Sequence, residues 1–176
     1  MKKVVLGLVA AVFVLSSYSS ALAQQKIGHV DIQYVLTSLP EYKAVESQLK
    51  TLESQLLKQS QAKQTEFQTK LQEYQAGAAN MADVVRQDKE RELQSLQQSF
   101  EEFQQTAQAS LQTKTTELLN PLYEKIGTAI DEVATENGYS HILNIGVAQL
   151  DIVIYGDKQY DVSNLVLKKL GITASN

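Results

Sequence analysis

From Glu41 to Asn120 the chain holds no proline and a single glycine, Gly77. Gln, Glu, Lys and Ala crowd this stretch, and all are fair to strong helix formers. Apolar residues recur at steps of three and four: Val45, Leu49, Leu52, Leu56, then Phe67, Leu71 and Tyr74. They resume with Val85, Leu93, Leu96, Phe100, Phe103, Ala107, Leu111 and Leu118. So narrow a stripe is the pattern of a coiled-coil seam, not of a helix buried on a broad face. Gln59 and Lys63 interrupt the first stripe, and the step to Phe67 and Leu71 skips register as a stutter does.

Between the two stripes lie the small residues Ala76, Gly77, Ala78, Ala79, Asn80 and Ala82. The flanking arms are each about 36–38 residues, or about 54–57 Å as helices. Equal arms suit an antiparallel hairpin. Gly77 is expected to end the first arm in a left-handed conformation. Asn80 is expected to cap the second, with Asp83 near the positive helix end. One uninterrupted helix of about 120 Å is the alternative, since a mid-helix glycine costs only about 1 kcal/mol. In the hairpin, paired residue numbers add up to about 163, because both helices rise equally. Leu52 then faces Leu111, Phe67 faces Leu96, and Val45 faces Leu118. Lys63 and Ser60 face Phe100 and Phe103.

The ends read differently. Met1-Lys2-Lys3, an apolar run from Val4 to Leu15 and the Ala21-Leu22-Ala23 site form an export leader, 1–23, cleaved before Gln24. The run falls short of the roughly 20 apolar residues a bilayer span needs. No cysteine follows the cleavage site to carry a lipid anchor. A bacterial periplasm fits best, and stable membrane insertion is not expected. Residues 24–40 open the body: "KIGHVDI" reads as a strand, "QYVLTSL" as one or two helical turns, and Pro40 as a boundary. The hairpin covers 41–120, with its tip near 77–82. Residues 121–176 return to the body. Asn120 caps, or Pro121 kinks, a new amphipathic helix carrying Leu122, Ile126, Ala129, Ile130 and Val133. Asn137-Gly138 ends it. "SHILNIG" and "LDIVIYG" read as two strands. "YDVSNLVLKKLGI" closes the chain as a short helix, capped by Asp161 or Ser163 and ended at Gly171. The fold class is therefore α+β, mostly α: a long antiparallel helical hairpin on a small β-strand body.

Composition excludes several functions. The chain has no cysteine, two histidines far apart and a net charge of −4. Removing the leader takes away Lys2 and Lys3 and leaves the chain more acidic. A nucleic-acid binder normally shows a basic surface, so none is expected as a partner. Disulfides, thiol chemistry and cysteine zinc sites are out. His29 and His141 read as strand residues, because no ligand cluster surrounds them. Asp31, Asp151 and Asp157 read as caps and turn residues. There is no nucleophile–base pair, phosphate loop or spaced carboxylate dyad. Neither enzyme activity, a metal nor a cofactor is expected.

The order of these segments resembles the Skp (OmpH-like) family of periplasmic chaperones. "KIGHVDIQYVLTSLPEYKAVESQL" resembles its opening, "LLNPLYEKIGTAIDEVATENGYSHIL" its return helix and strand, and "YGDKQYDVSNLVLKKL" its closing segment. The resemblance implies a homotrimer whose strands form a central β-barrel body. Three hairpins hang from it as tentacles around a cavity that holds unfolded outer-membrane proteins without ATP. A body of three short strands and two short helices buries little surface alone, so oligomerisation would complete its core. Family members are basic, whereas this chain is acidic, so a lipopolysaccharide site is not carried over. Client capture would lean on apolar and amide contacts.

Candidate client-contact residues on the arms are Phe67, Tyr74, Met81, Val84, Val85, Phe100 and Phe103. Ile27, Val30, Ile142, Leu143, Ile145, Ile152, Val153 and Ile154 are the candidate trimer body. Gly77 and Asn80 mark the tip. A second reading is a structural coiled-coil spacer or adaptor of the cell envelope, holding one folded partner.

Overall fold

The computed structural model describes residues 25–147 and 150–173. The expected leader lies outside them. Strand β1 (Ile27–Val30) leads into helix α1 (Ile32–Ser38). Asp31 caps α1, its Oδ1 accepting from the Tyr34 amide at 2.8 Å. Helix α2 (Pro40–Gly77) starts with proline in its first turn, where the missing N–H costs nothing. A 3-10 turn (Ala78–Asn80) reverses the chain into helix α3 (Asp83–Asn137). Strands β2 (His141–Asn144), β3 (Gly146–Val147) and β4 (Leu150–Asp151) follow, then a second 3-10 turn (Lys158–Tyr160) and helix α4 (Ser163–Lys169).

The hairpin takes the expected register. Lys63 Nζ donates to Ser99 Oγ at 2.9 Å, Lys70 pairs with Glu92 at 3.1 Å, and Tyr74 donates to Glu90 at 2.6 Å. Each pair falls within one residue of the predicted match. Lys63 also stands 5.7 Å from the Phe103 ring centroid, about one helical turn from Phe100, the neighbour expected of it. Nearer the body, Lys125 ties α3 to Glu41 of α2 at 2.6 Å.

Three local expectations are corrected. The tip is not built from a left-handed glycine and an asparagine cap. Gly77 is right-handed (φ −104°), and Ala82 occupies the N-cap of α3 with no side-chain hydrogen bond. The close neighbour of Gly77 is Met81: a Cβ there would lie 2.7 Å from its Cε, the end of a flexible side chain. Asp83 itself opens α3 and pairs with Arg86 at 2.7 Å.

Pro121 neither breaks nor restarts the helix, and Asn120 caps nothing, because α3 runs through both as one element of 55 residues. An interior proline costs about 3 kcal/mol. Packing on both sides outweighs it: Leu118 and Leu119 before, and Leu122, Ile126, Ala129 and Val133 after, all join one core. The expected end holds, since Gly138 is left-handed (φ 68°) and the Tyr139 amide returns to Ala134.

"LDIVIYG" is not a full strand. Only Leu150 and Asp151 pair, antiparallel, with Val147 and Gly146. The Ile152 and Val153 amides then converge on the Ile145 carbonyl at 2.9 and 3.1 Å. Ile152, Val153 and Ile154 leave the ladder there, because β3 offers only two residues to pair with.

β1 is the centre of the body. It pairs in parallel with β2, Ile27 opposite His141 through Val30 opposite Asn144. On its other side a bridge joins His29 to Asp161, and the Val162 amide donates to the His29 carbonyl at 2.9 Å. The Asp31 amide donates to the buried Ser163 Oγ at 2.9 Å. Beneath lies the core: Val30, Val35, Leu36, Leu39 and Val45, closed by Leu122, Ile126, Ala129 and Val133 of α3 and by Val162, Val166 and Leu167. The body and the base of the hairpin thus share one core.

Candidate binding surfaces of the arms and body

Two helices cannot bury their own seam completely, and these do not. Phe67, Tyr74, Phe100 and Phe103 lie half-buried between α2 and α3. At the tip Met81 is half-buried, while Val84 (69% exposed) and Val85 face solvent. The structure divides the seven candidate arm residues in this way: four line the seam, three gather at the tip. Leu57 is a further exposed apolar residue of α2 that the heptad reading passed over, because it falls off the stripe.

The charged side chains of the arm largely satisfy one another. Lys70 reaches Glu92 and Glu73, Lys89 reaches Glu92 at 3.0 Å, Arg91 reaches Asp88, and Lys114 reaches Glu117 at 3.2 Å. Hydrogen bonds from Lys89 and then Lys70 hold the Glu92 carboxyl below its ordinary value. The Glu92 partner in turn raises Lys70, and the hydrogen bond to Glu90 pushes the Tyr74 phenol up. Lys43, Lys50 and Lys58 of α2 form no ion pair among the described residues. The remainder of the arm surface is mainly glutamine, serine and threonine.

On the body, strand alternation sends Gly28, Val30, Ile142 and Asn144 inward and Ile27, His29, His141 and Leu143 outward. Of the candidate body residues, Val30 is fully buried and Ile142 packs against the core. Ile145 and Val153 are half-buried. Ile27, Leu143, Ile152 and Ile154 are exposed, Ile154 by 94%. Leu150, Tyr155 and Tyr160, which the sequence reading did not single out, are exposed as well. A shallow hollow there is lined by Ile27, His29, Leu143, Val153, Tyr155, Asp157 and Tyr160. Gly156 lies so close that a Cβ on it would come within 2.7 Å of His29 Cε1. The two residues are far apart in sequence, and no local pattern marks the contact.

Among the described residues no group of three His, Cys, Asp or Glu side chains is placed to hold a metal ion. No described helix is long and apolar enough to cross a membrane.

The family model "Outer membrane protein (OmpH-like)" matches residues 26–170. The chain belongs to the OmpH-like family. Two relatives of this OmpH-like chain bear the name Chaperone protein Skp. The one from Pectobacterium atrosepticum is 24% identical over 157 residues, covering 89% of this chain and 92% of its own. That from Yersinia enterocolitica is 26% identical over 152 residues, covering 86% and 90%. The crystal structure of an OmpH-like chain from Caulobacter crescentus CB15 superposes with a TM-score of 0.68 at 17% identity, covering 86% of this chain and 89% of that one. The long helices on a small strand region are thus the fold of the family. The named relatives are chaperones, not enzymes.

Proposed function

We infer that this OmpH-like chain is an ATP-independent holdase of the periplasm that binds unfolded outer-membrane β-barrel proteins between its arms and prevents their aggregation. The carrying observation is a body whose outer sheet face is apolar and uncovered in the single chain, at the root of an arm with an open seam. Contiguous exposed apolar surface of this kind is characteristic of a protein–protein contact. β2 has β1 as its only strand partner among the described residues, so its second edge is available to another chain. A second copy suits both features, and a homotrimer would gather three arms around one space.

In this reading Ile27, Leu143, Ile145, Ile152, Val153 and Ile154 meet neighbouring copies. Val30 and Ile142 support them from the core side. Phe67, Tyr74, Met81, Val84, Val85, Phe100 and Phe103 offer clients many weak apolar contacts, which suits a broad client range. The arm's cations are mostly engaged by its own carboxylates, which leaves apolar and amide groups to make the contact. The leader, 1–23, delivers the chain to the periplasm.

The test is light scattering of several unrelated unfolded β-barrel proteins diluted from denaturant, with native mass measurement of the chaperone. A holdase suppresses scattering for all of them at near-stoichiometric ratios and ignores their folded forms. Suppression for none, with a stable complex formed on one folded partner, would instead identify a spacer or adaptor.

A further inference from the structure

The two flanks of the hairpin differ near its base. On one, a groove of about 460 Å³ runs between α2 and α3. Gln48, Leu52 and Gln55 line it from α2, and Ser110 and Thr113 from α3. The only charged residues lining it, Lys114 and Glu117, pair with each other at 3.2 Å, so the groove carries no unpaired charge. A second hollow, across the seam, is charged instead, with Glu46, Lys50 and Glu53 beside Leu49. We propose that the uncharged groove takes an extended segment of an unfolded β-barrel client, and that it favours segments in which apolar and polar residues alternate.

The groove's length and chemistry both suit that occupant. Residues 47–55 of α2 rise about 12 Å, the span of about four residues of extended chain. The Thr51 hydroxyl donates to the Ser47 carbonyl of its own helix at 2.8 Å. Gln48, Gln55, Ser110 and Thr113, by contrast, make no side-chain hydrogen bond among the described residues. A carboxamide offers a donor and an acceptor side by side, as a peptide group does. It can therefore pair with a main chain whatever side chains that chain carries.

More of the groove's surface is nonetheless apolar than polar, with Leu52 half-buried within it. An extended chain sends successive side chains to opposite faces. Strands of outer-membrane barrels alternate apolar and polar residues with that same period. A segment of this kind turns its apolar side chains to the groove and leaves its polar ones in water, while its backbone meets the carboxamides. A sequence without the alternation cannot do both. The inference rests on the holdase reading above and specifies what the arm recognises. Each contact is weak by itself, and repeated engagement along a long client multiplies it.

The experiment uses the isotope-labelled mature chain and two peptides of one composition. In the first, apolar and polar residues alternate as in a barrel strand; in the second, the same residues stand in an order without alternation. The alternating peptide is expected to shift the side-chain amide signals of Gln48 and Gln55 in NMR spectra and to bind about five-fold or more tighter than the other. High salt should leave that preference in place, since the groove carries no unpaired charge. The double variant Gln48→Met, Gln55→Met keeps the apolar stems and removes the carboxamides. It should bind the alternating peptide about five-fold or more weakly at unchanged helix content. Equal binding of the two peptides overturns the proposal, as do shifts confined to the tip or the charged flank, a preference lost at high salt, or full-strength binding by the double variant. Should that variant misfold, the wild-type signals decide alone. A chain that suppresses aggregation of unfolded barrels yet binds both peptides equally keeps the holdase reading and loses the groove. A chain that suppresses none loses both.

Discussion

Gly77 shows that a glycine at a chain reversal need not be there for a left-handed backbone. Its backbone is right-handed, so alanine fits there without φ strain. The close neighbour is Met81 Cε, the end of a flexible side chain. Gly77→Ala is therefore expected to be neutral or to stabilise by up to about 1 kcal/mol, through helix propensity and a less flexible unfolded chain. Asn80→Ala should be close to neutral, since Asn80 caps no helix. Urea denaturation of both variants checks this, and a loss above 2 kcal/mol in either would contradict the tip geometry. Ser163→Ala is the contrasting case. It leaves the part-buried Asp31 amide without its acceptor, next to the chain crossing at the centre of the body. About 1–3 kcal/mol should be lost, measurable in the same denaturation. The heptad spacing carried the seam residues plainly, but not the Gly77–Met81 and His29–Gly156 approaches. Close contacts of that kind depend on how elements meet, which no local pattern encodes.

Among the elements, the arm is the one whose geometry follows most directly from its residues. Two apolar stripes of equal length predict the register that Lys63–Ser99, Lys70–Glu92 and Tyr74–Glu90 display. That α3 would run on through Asn120 and Pro121 was not legible, because core packing on either side overrules the proline. The extent of β4 was likewise hidden, since an apolar run shows only that residues could pair, not that a partner strand is there. Lys63 occupies a seam position that would ordinarily be apolar. Lys63→Leu should tighten the middle of the arm, seen as slower amide exchange over residues 58–64; faster exchange there would count against this role. The outer arm should respond to acid. Glu92 is held below its ordinary value, so its contribution is present above that value and is lost as pH falls through the lowered one. Lys70 is raised, so its share persists until pH rises through the raised value. Spin labels at Gln68 and Gln94 should therefore give a narrow distance distribution at pH 7 that broadens once pH falls below the ordinary carboxylate range. An unchanged distribution would mean that apolar contacts alone hold the outer arm.

For the molecule as a whole, the body shares one core with the base of the hairpin yet leaves its outer sheet face apolar and uncovered. Tyr155 lines the hollow on that face, its neighbour in sequence Ile154 is almost wholly exposed, and neither belongs to the core. Replacing both with serine should shift the oligomer towards monomer by at least ten-fold in concentration while helix content stays the same. Loss of helix in the double variant would show that these residues support the fold of the single chain instead. Family membership was legible in the order of the segments. The outer face was only partly so, because Leu150 and Tyr155 lie where a regular strand would have turned alternate residues inward.

The placing of β1 between β2 and the Asp161–Ser163 segment also governs the order in which the chain can organise itself. Every strand partner of Ile27–Val30 comes from beyond residue 140, so the first ordered segment of the chain must wait for nearly the last. Contacts near the tip join residues close in sequence and can form early, whereas those of the body carry the longest loop and form late. The hairpin then acts as a zip that starts at its far end and delivers the two ends of the chain to each other in register. Seven residues added to one arm alone would bring those ends together about 10 Å out of step. Seven added to both would lengthen the arm and still close the body.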